Sequence, residues 1–177
     1  WVPMRISLFA SHKDPRPDAY TTDWRGLRRI LTTTDGRTEK YGPAWSPAYY
    51  PPGATRGKAN VESVSCLVLD LDHMTYEQCR DVRTTLSGYT HIEHASYSDD
   101  PGADDRCKRF AIQLSRPVLV SEWEEFWPKA IKYIDVPADP STSDASRIYF
   151  LPARPEGKVL SFKCIQGRSL NVDFIMS

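Results

Sequence analysis

Three observations on the 177-residue chain predict an α+β fold. One run, residues 64–72 (Val-Ser-Cys-Leu-Val-Leu-Asp-Leu-Asp), is apolar on both faces, as a strand covered on both sides must be. Helical stretches with start signals stand on either side of a second, hairpin-like pair of strands. From residue 64 onward the order is therefore strand, helix, hairpin, helix, strand, which describes a small sheet with helices against it. Hydrophobic residues at 40% and charged residues at 26% are a globular balance, and no uninterrupted apolar run is long enough to cross a membrane.

Taken in order, residues 4–10 alternate as a strand with Met4, Ile6 and Leu8 on one face. A Pro- and Asp-containing loop follows. Thr21, Thr22 or Asp23 caps a helix running to about Thr33, with Trp24, Leu27, Ile30 and Leu31 as its apolar stripe. Residues 42–58 are rich in Pro and Gly and read as a long loop carrying Trp45, Tyr49 and Tyr50. Those aromatics suit either stacking on bases or anchoring the loop to the core. In the strand 64–72, Val64, Cys66 and Val68 point one way and Leu67, Leu69 and Leu71 the other. Thr75-Tyr-Glu-Gln78 is a capping box for a helix that buries Cys79, Val82 and Leu86 and stops at Gly88. Residues 90–98 and 109–114 read as a hairpin around the polar turn 99–107. Ser121-Glu-Trp-Glu124 reads as a second capping box, opening a helix that Pro128 should kink. Residues 146–151 and 159–165 complete the strands. The arrangement is close to a ferredoxin-like or RNA-recognition-type (RRM-like) sheet.

Charge is balanced overall, 23 basic against 23 acidic residues, but not evenly spread. Residues 1–60 carry ten basic side chains against five acidic ones, which suits a region facing a polyanion beside an acidic remainder. The four cysteines lack any C-x-x-C zinc spacing; Cys66 and Cys79 read as buried thiols of a reducing compartment. The chain opens on Trp1 rather than Met, and a fragment of a longer protein is expected.

Asp70 and Asp72 are the centre of the chemistry. Side chains two apart on a strand share a face, so both carboxylates project together from the end of a buried strand. Their mutual repulsion and desolvation are relieved by a divalent cation, and oxygen ligands favour Mg2+ or Mn2+. The other reading places them at an exposed strand end, capping the next turn. A third carboxylate is expected from Asp139 or Asp144. Arg147 then either reaches a triphosphate or pairs with Asp144. Lys108 and Arg109 open the third strand as phosphate contacts or as solvated charge beside the acidic turn. His91 and His94 face opposite ways on a strand, which disfavours a shared metal and a nicking initiator alike. His94 shares a face with Ser96 and Ser98 and is the better site candidate, and His73 follows Asp72 directly.

The ordered set Leu-Val-Leu-Asp70-Leu-Asp72, His94-Ala-Ser96-Tyr-Ser98, Lys108-Arg109-Phe-Ala-Ile-Gln-Leu and Asp139-Pro-Ser-Thr-Ser-Asp144-Ala-Ser-Arg147 resembles the archaeo-eukaryotic primase superfamily. It is closest to the primase-polymerase domains at the front of phage and plasmid replication proteins. The resemblance implies an RRM-like catalytic lobe over residues 61–165 packed against a small basic N-terminal α/β lobe over 1–60, with 166–177 a tail or the start of a linker. It implies that Asp70, Asp72 and Asp139 hold Mg2+ or Mn2+, and that His94, Ser96, Ser98, Lys108, Arg109 and Arg147 bind the nucleotide. Lys40, Arg56 and Lys58, with Arg25, Arg28 and Arg29, are the candidate DNA contacts. The family's second motif is commonly Ser-x-His; here Arg109 stands in that place, which separates the phosphate role from any initiation role of the histidine. The implied partners are single-stranded DNA template, nucleoside triphosphates and a helicase domain in the same full-length chain, working in the bacterial or phage-infected cytoplasm. A non-catalytic origin-binding module on the same fold and a two-metal phosphohydrolase are the alternatives.

Overall fold

The structure, a computed structural model, describes residues 3–177. It is a mixed α+β fold of two antiparallel sheets and four helices. The first strands are β1 (Met4–Phe9) and β2 (Asp18–Thr22), followed by α1 (Trp24–Leu31). Next come β3 (Ala44–Ser46), β4 (Ala48–Tyr49), β5 (Ser63–Met74) and α2 (Tyr76–Leu86). The remainder is β6 (His91–Ala95), β7 (Arg106–Leu119), α3 (Val120–Ile134), β8 (Tyr149–Phe150), β9 (Phe162–Ile165) and α4 (Val172–Met176). The smaller sheet has the order β2-β1-β3-β8 and the larger β4-β5-β7-β6-β9.

The larger sheet is the middle layer. One face meets α2, α3 and α4 through Leu67, Leu69, Leu71, Phe110 and Ile112. The other meets α1 and the smaller sheet through Cys66, Val68, Ile92 and Ala111, packed on Ile6, Leu27, Leu31, Trp45 and Tyr149. This accounts for the two apolar faces of β5, nine consecutive residues of which are buried. Val64 departs from the simple alternation. A bulge between Val64 and Cys66 shifts the register, so Val64 joins the helix-side core rather than the face of Cys66 and Val68.

Other departures have local causes. β2 forms where a loop is expected, because its polar, exposed sequence suits an edge strand and carries no apolar alternation. The loop expected over 42–58 contains β3 and β4, and Pro47 between them carries the chain from one sheet to the other. Trp45 and Tyr50 of this stretch are buried anchors, and Tyr49 lies under the Arg5 guanidinium at 4.0 Å. α1 is capped by Asp23, whose carboxylate accepts the Gly26 N–H at 2.8 Å. The capping box at Thr75 forms as expected. The box at Ser121 does not: Glu122 reaches back to the Leu119 N–H, held there by Arg116 at 2.8 Å, and the helix starts two residues earlier. α3 continues through Pro128. The strand expected at 146–151 shrinks to Tyr149–Phe150 and pairs with β3, not with the Asp70 strand. Residues 166–177, expected as a tail or the start of a linker, bury Leu170, Val172 and Ile175 in the helix-side core.

Candidate active site

The site lies where β5, β7 and β6 end on the face towards the smaller sheet. Register aligns Asp70 with Arg109, and Arg109 with His94, in one row across three strands. Neighbours in such a row share a face, so all three side chains enter the same space. β8 supplies the opposite wall, because its pairing with β3 hangs Arg147, Tyr149 and Phe150 over that row.

Asp70 is buried, and its carboxylate is approached by Arg109 at 3.4 Å and by Arg147 at 3.9 Å. Both contacts are longer than a tight charge-assisted pair. Arg109 also donates to the Phe150 carbonyl at 3.0 Å, and its guanidinium lies 4.9 Å from the Tyr149 ring centroid. The Oδ1 atom of Asp70 and the Nε atoms of Arg109 and Arg147 are buried without a hydrogen-bond partner. Asp72, two residues on, is exposed. Desolvation at the cavity wall and the charge of Asp70 push its carboxyl above the ordinary value, Asp139 adding and Arg109 opposing.

The carboxylate pair is a wall shared by two cavities. The first, of about 320 Å³, is lined as well by Lys40, Arg109 and Arg147 and includes His94, Ser96 and Ser98. The second, of about 420 Å³, is closed by Asp139 and the apolar Met74, Val82 and Pro137. Asp139 caps a short 3-10 turn, accepting the Ser141 N–H at 3.0 Å, and hydrogen bonds from Ser141 hold its carboxyl low. Asp144 is instead occupied with Ser146, at 2.9 Å to its N–H and 2.7 Å to its hydroxyl, and lines neither cavity. Asp70, Asp72 and Asp139 thus line one space with carboxylate oxygens, the donor type that suits a hard divalent cation such as Mg2+ or Mn2+. Their oxygens do not all lie within 4.8 Å of one another; among the described residues the three ligating side chains gathered that closely are His73, Asp105 and Cys107.

His94 is fully enclosed. Its Nδ1 is 2.9 Å from the Ala95 carbonyl, so that nitrogen carries the proton and the unpartnered Nε2 is an acceptor. Burial, helped by Arg109, pushes its pKa down to about 3, so the ring is neutral. His91 lies on the opposite face of β6, aligned with Ile112 in the helix-side core.

Lys108 does not reach this site. It is fully buried, pairing with Asp99 at 3.1 Å and donating to the Ser161 hydroxyl at 2.9 Å. Alternation along β7 sends Lys108 and Arg109 to opposite faces, which excludes the phosphate role expected for Lys108. Arg56 and Lys58 are exposed and line neither cavity, and Arg25, Arg28 and Arg29 lie on α1, also outside both. Lys40 alone of the expected DNA contacts borders the first cavity.

Arg154 is the residue that sequence reasoning missed. Buried, it donates to the carbonyls of Ser96, Tyr97 and Asp99 at 2.9–3.1 Å and fixes the loop that presents Ser96 and Ser98. Its only signal is its place between Ala153 and Pro155, which resembles any surface arginine. Asp99, read as part of a solvated acidic turn, is likewise buried and accepts from the Cys107 N–H at 2.9 Å. Burial pushes its carboxyl up, but the Cys107 amide and the Lys108 ammonium outweigh this and leave it below the ordinary value.

No family model matches the chain, and no curated protein matches its sequence. Among solved structures it is similar to the cyanophage S-2L primase-polymerase (PrimPol) AEP domain, with a TM-score of 0.54 at 15% identity. That likeness covers 97% of this chain and 86% of the cyanophage chain. The chain therefore shares the overall fold of that AEP domain. Among the described residues no helix is long and apolar enough to cross a membrane.

Proposed function

We propose that this domain is a metal-dependent nucleotidyltransferase that makes or extends a strand from nucleoside triphosphates on a single-stranded DNA template. One observation carries the reading. The Asp70/Asp72 pair stands between a cavity walled by cations and a cavity closed by a third carboxylate. Phosphoryl chemistry needs that polarity, with negative oxygens on one side and a reacting hydroxyl on the other.

In this reading Arg109 and Arg147 bind the triphosphate in the first cavity, and Lys40 borders it on the path of the template. The guanidiniums are held at the rim by Phe150 and Tyr149; the Arg147 Nε has no hydrogen-bond partner, and the Arg109 Nε faces Oδ1 of Asp70 at 3.4 Å. The neutral His94 offers an acceptor, which suits a nucleotide hydroxyl and not a phosphate oxygen. The Ser96 and Ser98 hydroxyls border the same cavity, steadied by Arg154. Asp70, Asp72 and Asp139 hold the divalent ions. Bound there, Mg2+ or Mn2+ supplies activation of the attacking hydroxyl and neutralisation of the departing pyrophosphate. The basic residues 1–60, with Lys40, Arg56 and Lys58, contact the template backbone. Likeness to a cyanophage primase-polymerase domain supports a place in phage-type replication; plasmid replication and a helicase domain in the same chain are proposed on the sequence resemblance alone.

A second reading, a non-catalytic nucleic-acid-binding module, is favoured by one fact: Arg109 and Arg147 already neutralise Asp70 without a metal. Labelled-nucleotide incorporation on single-stranded DNA separates the two, run with and without an annealed primer, in Mg2+ and in Mn2+. Product from the parent chain but not from an Asp70→Asn/Asp72→Asn variant supports catalysis, and the unprimed lane decides whether synthesis starts de novo. DNA binding with no product in any lane supports the binding module.

A further inference from the structure

β5 ends in an irregularity that the proposed reaction does not use. Its pairing with β7 slips between Leu71 and Met74, and in that gap His73 takes a left-handed backbone with φ +56°. Residues with a Cβ rarely adopt this conformation. The turn points the His73 N–H at the Cys107 sulfur, 3.5 Å away, and sets Nδ1 2.9 Å from Oδ1 of Asp105. One nitrogen, one sulfur and one carboxylate oxygen thus lie within 4.8 Å of one another.

We propose that His73, Asp105 and Cys107 form a binding site for a borderline transition-metal ion, Zn2+ above all, adjoining the carboxylates Asp70, Asp72 and Asp139 but with its own donor set, His73 bordering both cavities and Cys107 the first. The donor chemistry decides the ion. Thiolate and imidazole select Zn2+ and its transition-metal neighbours, whereas Mg2+ and Mn2+ favour oxygen ligands. An ion about 2.0–2.3 Å from each ligand needs them roughly 3.3–3.8 Å apart, a small side-chain adjustment from the observed cluster. The burial is graded for entry from solvent: Cys107 is buried at the base, while the His73 and Asp105 side chains are 77% and 41% exposed above it. The His73 N–H on Cys107 is the kind of outer hydrogen bond that steadies a metal thiolate. Binding releases the thiol proton, and the imidazolium proton where His73 is charged, to the buffer. Three protein ligands leave a fourth position for water. The ion would tie the start of β7 to the end of the Asp70/Asp72 strand, and this inference does not depend on the nucleotidyl-transfer reading.

Cobalt titration of the whole chain under excess Mg2+ tests it. The expected result is a near-ultraviolet sulfur-to-cobalt charge-transfer band at one equivalent, displaced by Zn2+. It should be abolished in Cys107→Ser and preserved in Cys164→Ser, which removes the exposed cysteine. His73→Ala, at a side chain 77% exposed, should weaken Co2+ binding by at least about tenfold, as the loss of even an outer partner does. Asp70→Asn/Asp72→Asn should leave the band in place. No band, a band that follows Cys164, indifference to His73→Ala, or loss of the band with the Asp70/Asp72 variant overturns the proposal.

Discussion

Lys108 and Arg109 are chain neighbours, and each meets a buried aspartate, yet the two clusters differ in kind. On one face Lys108, Arg106 and the Cys107 N–H converge on Asp99 at 2.9–3.3 Å, and Lys108 donates a further bond to Ser161. Neither Lys108 nor Asp99 lines either of the two cavities at the Asp70/Asp72 pair. On the other face Arg109 and Arg147 stand 3.4 and 3.9 Å from Asp70, several of their polar atoms have no partner, and a cavity opens beside them. A closed, short-bonded network of buried charge is structural, since any missing partner there is costly. An open, long-bonded one at a cavity wall leaves hydrogen-bonding capacity for something else.

This contrast can be broken from either side. The largest effect is expected at the open cluster: Asp70→Asn should lower nucleotide incorporation by about 10³-fold, as loss of a group that acts in the transition state does. Triphosphate binding and the urea midpoint should change little; an equal loss of stability would make Asp70 structural. At the closed cluster the pattern should invert. Lys108→Met strands the Asp99 charge and should cost about 3–5 kcal/mol in urea unfolding, while nucleotide affinity of the folded protein is retained. Arg109→Met should do the opposite, weakening triphosphate binding with a smaller loss of stability.

A pH series sharpens the same comparison. His94 has its folded pKa lowered to about 3, so the folded state resists protonation. Its contribution is present above the unfolded value near 6.5 and is lost as pH falls, at about 1.4 kcal/mol per unit below pH 6. His91, lowered by burial, adds in the same sense. Unfolding free energies from pH 7 to 4.5 should therefore fall steeply for the parent and less steeply for His94→Gln. The smallest effect belongs to the exposed cations. Arg56→Ala and Lys58→Ala should each reduce the salt slope of single-stranded DNA binding by about 1, and an unchanged slope would remove that residue from the template path.

Much of the fold was legible. β5 announced itself by apolar residues on both faces, α2 by its Thr75–Gln78 box, and the hairpin of β6 and β7 by its turn. The Asp70/Asp72 pair was legible for the same reason, since two residues along a strand share a face. The separation of Lys108 from Arg109 was equally legible by that rule. What escaped were features set by distant partners. β8 joins the smaller sheet, which no periodicity in residues 146–151 foretells, and that pairing is what hangs Arg147 over Asp70. Arg154 reaches a loop more than fifty positions earlier in the chain. The Trp45 and Tyr50 rings could equally have served a base or a core, and burial made them core.

By itself, then, the amino-acid order determined the class of fold, its central strand, the start of α2 and the paired carboxylates. Each depends on backbone periodicity or a capping bond closed within a few residues. The tertiary structure alone decided which cations meet those carboxylates, that Asp139 and not Asp144 shares their cavity, and that the loop of Ser96 is held by an arginine. A charge is assigned its partner by which strands lie side by side, and that depends on packing across the whole chain rather than on neighbours in sequence.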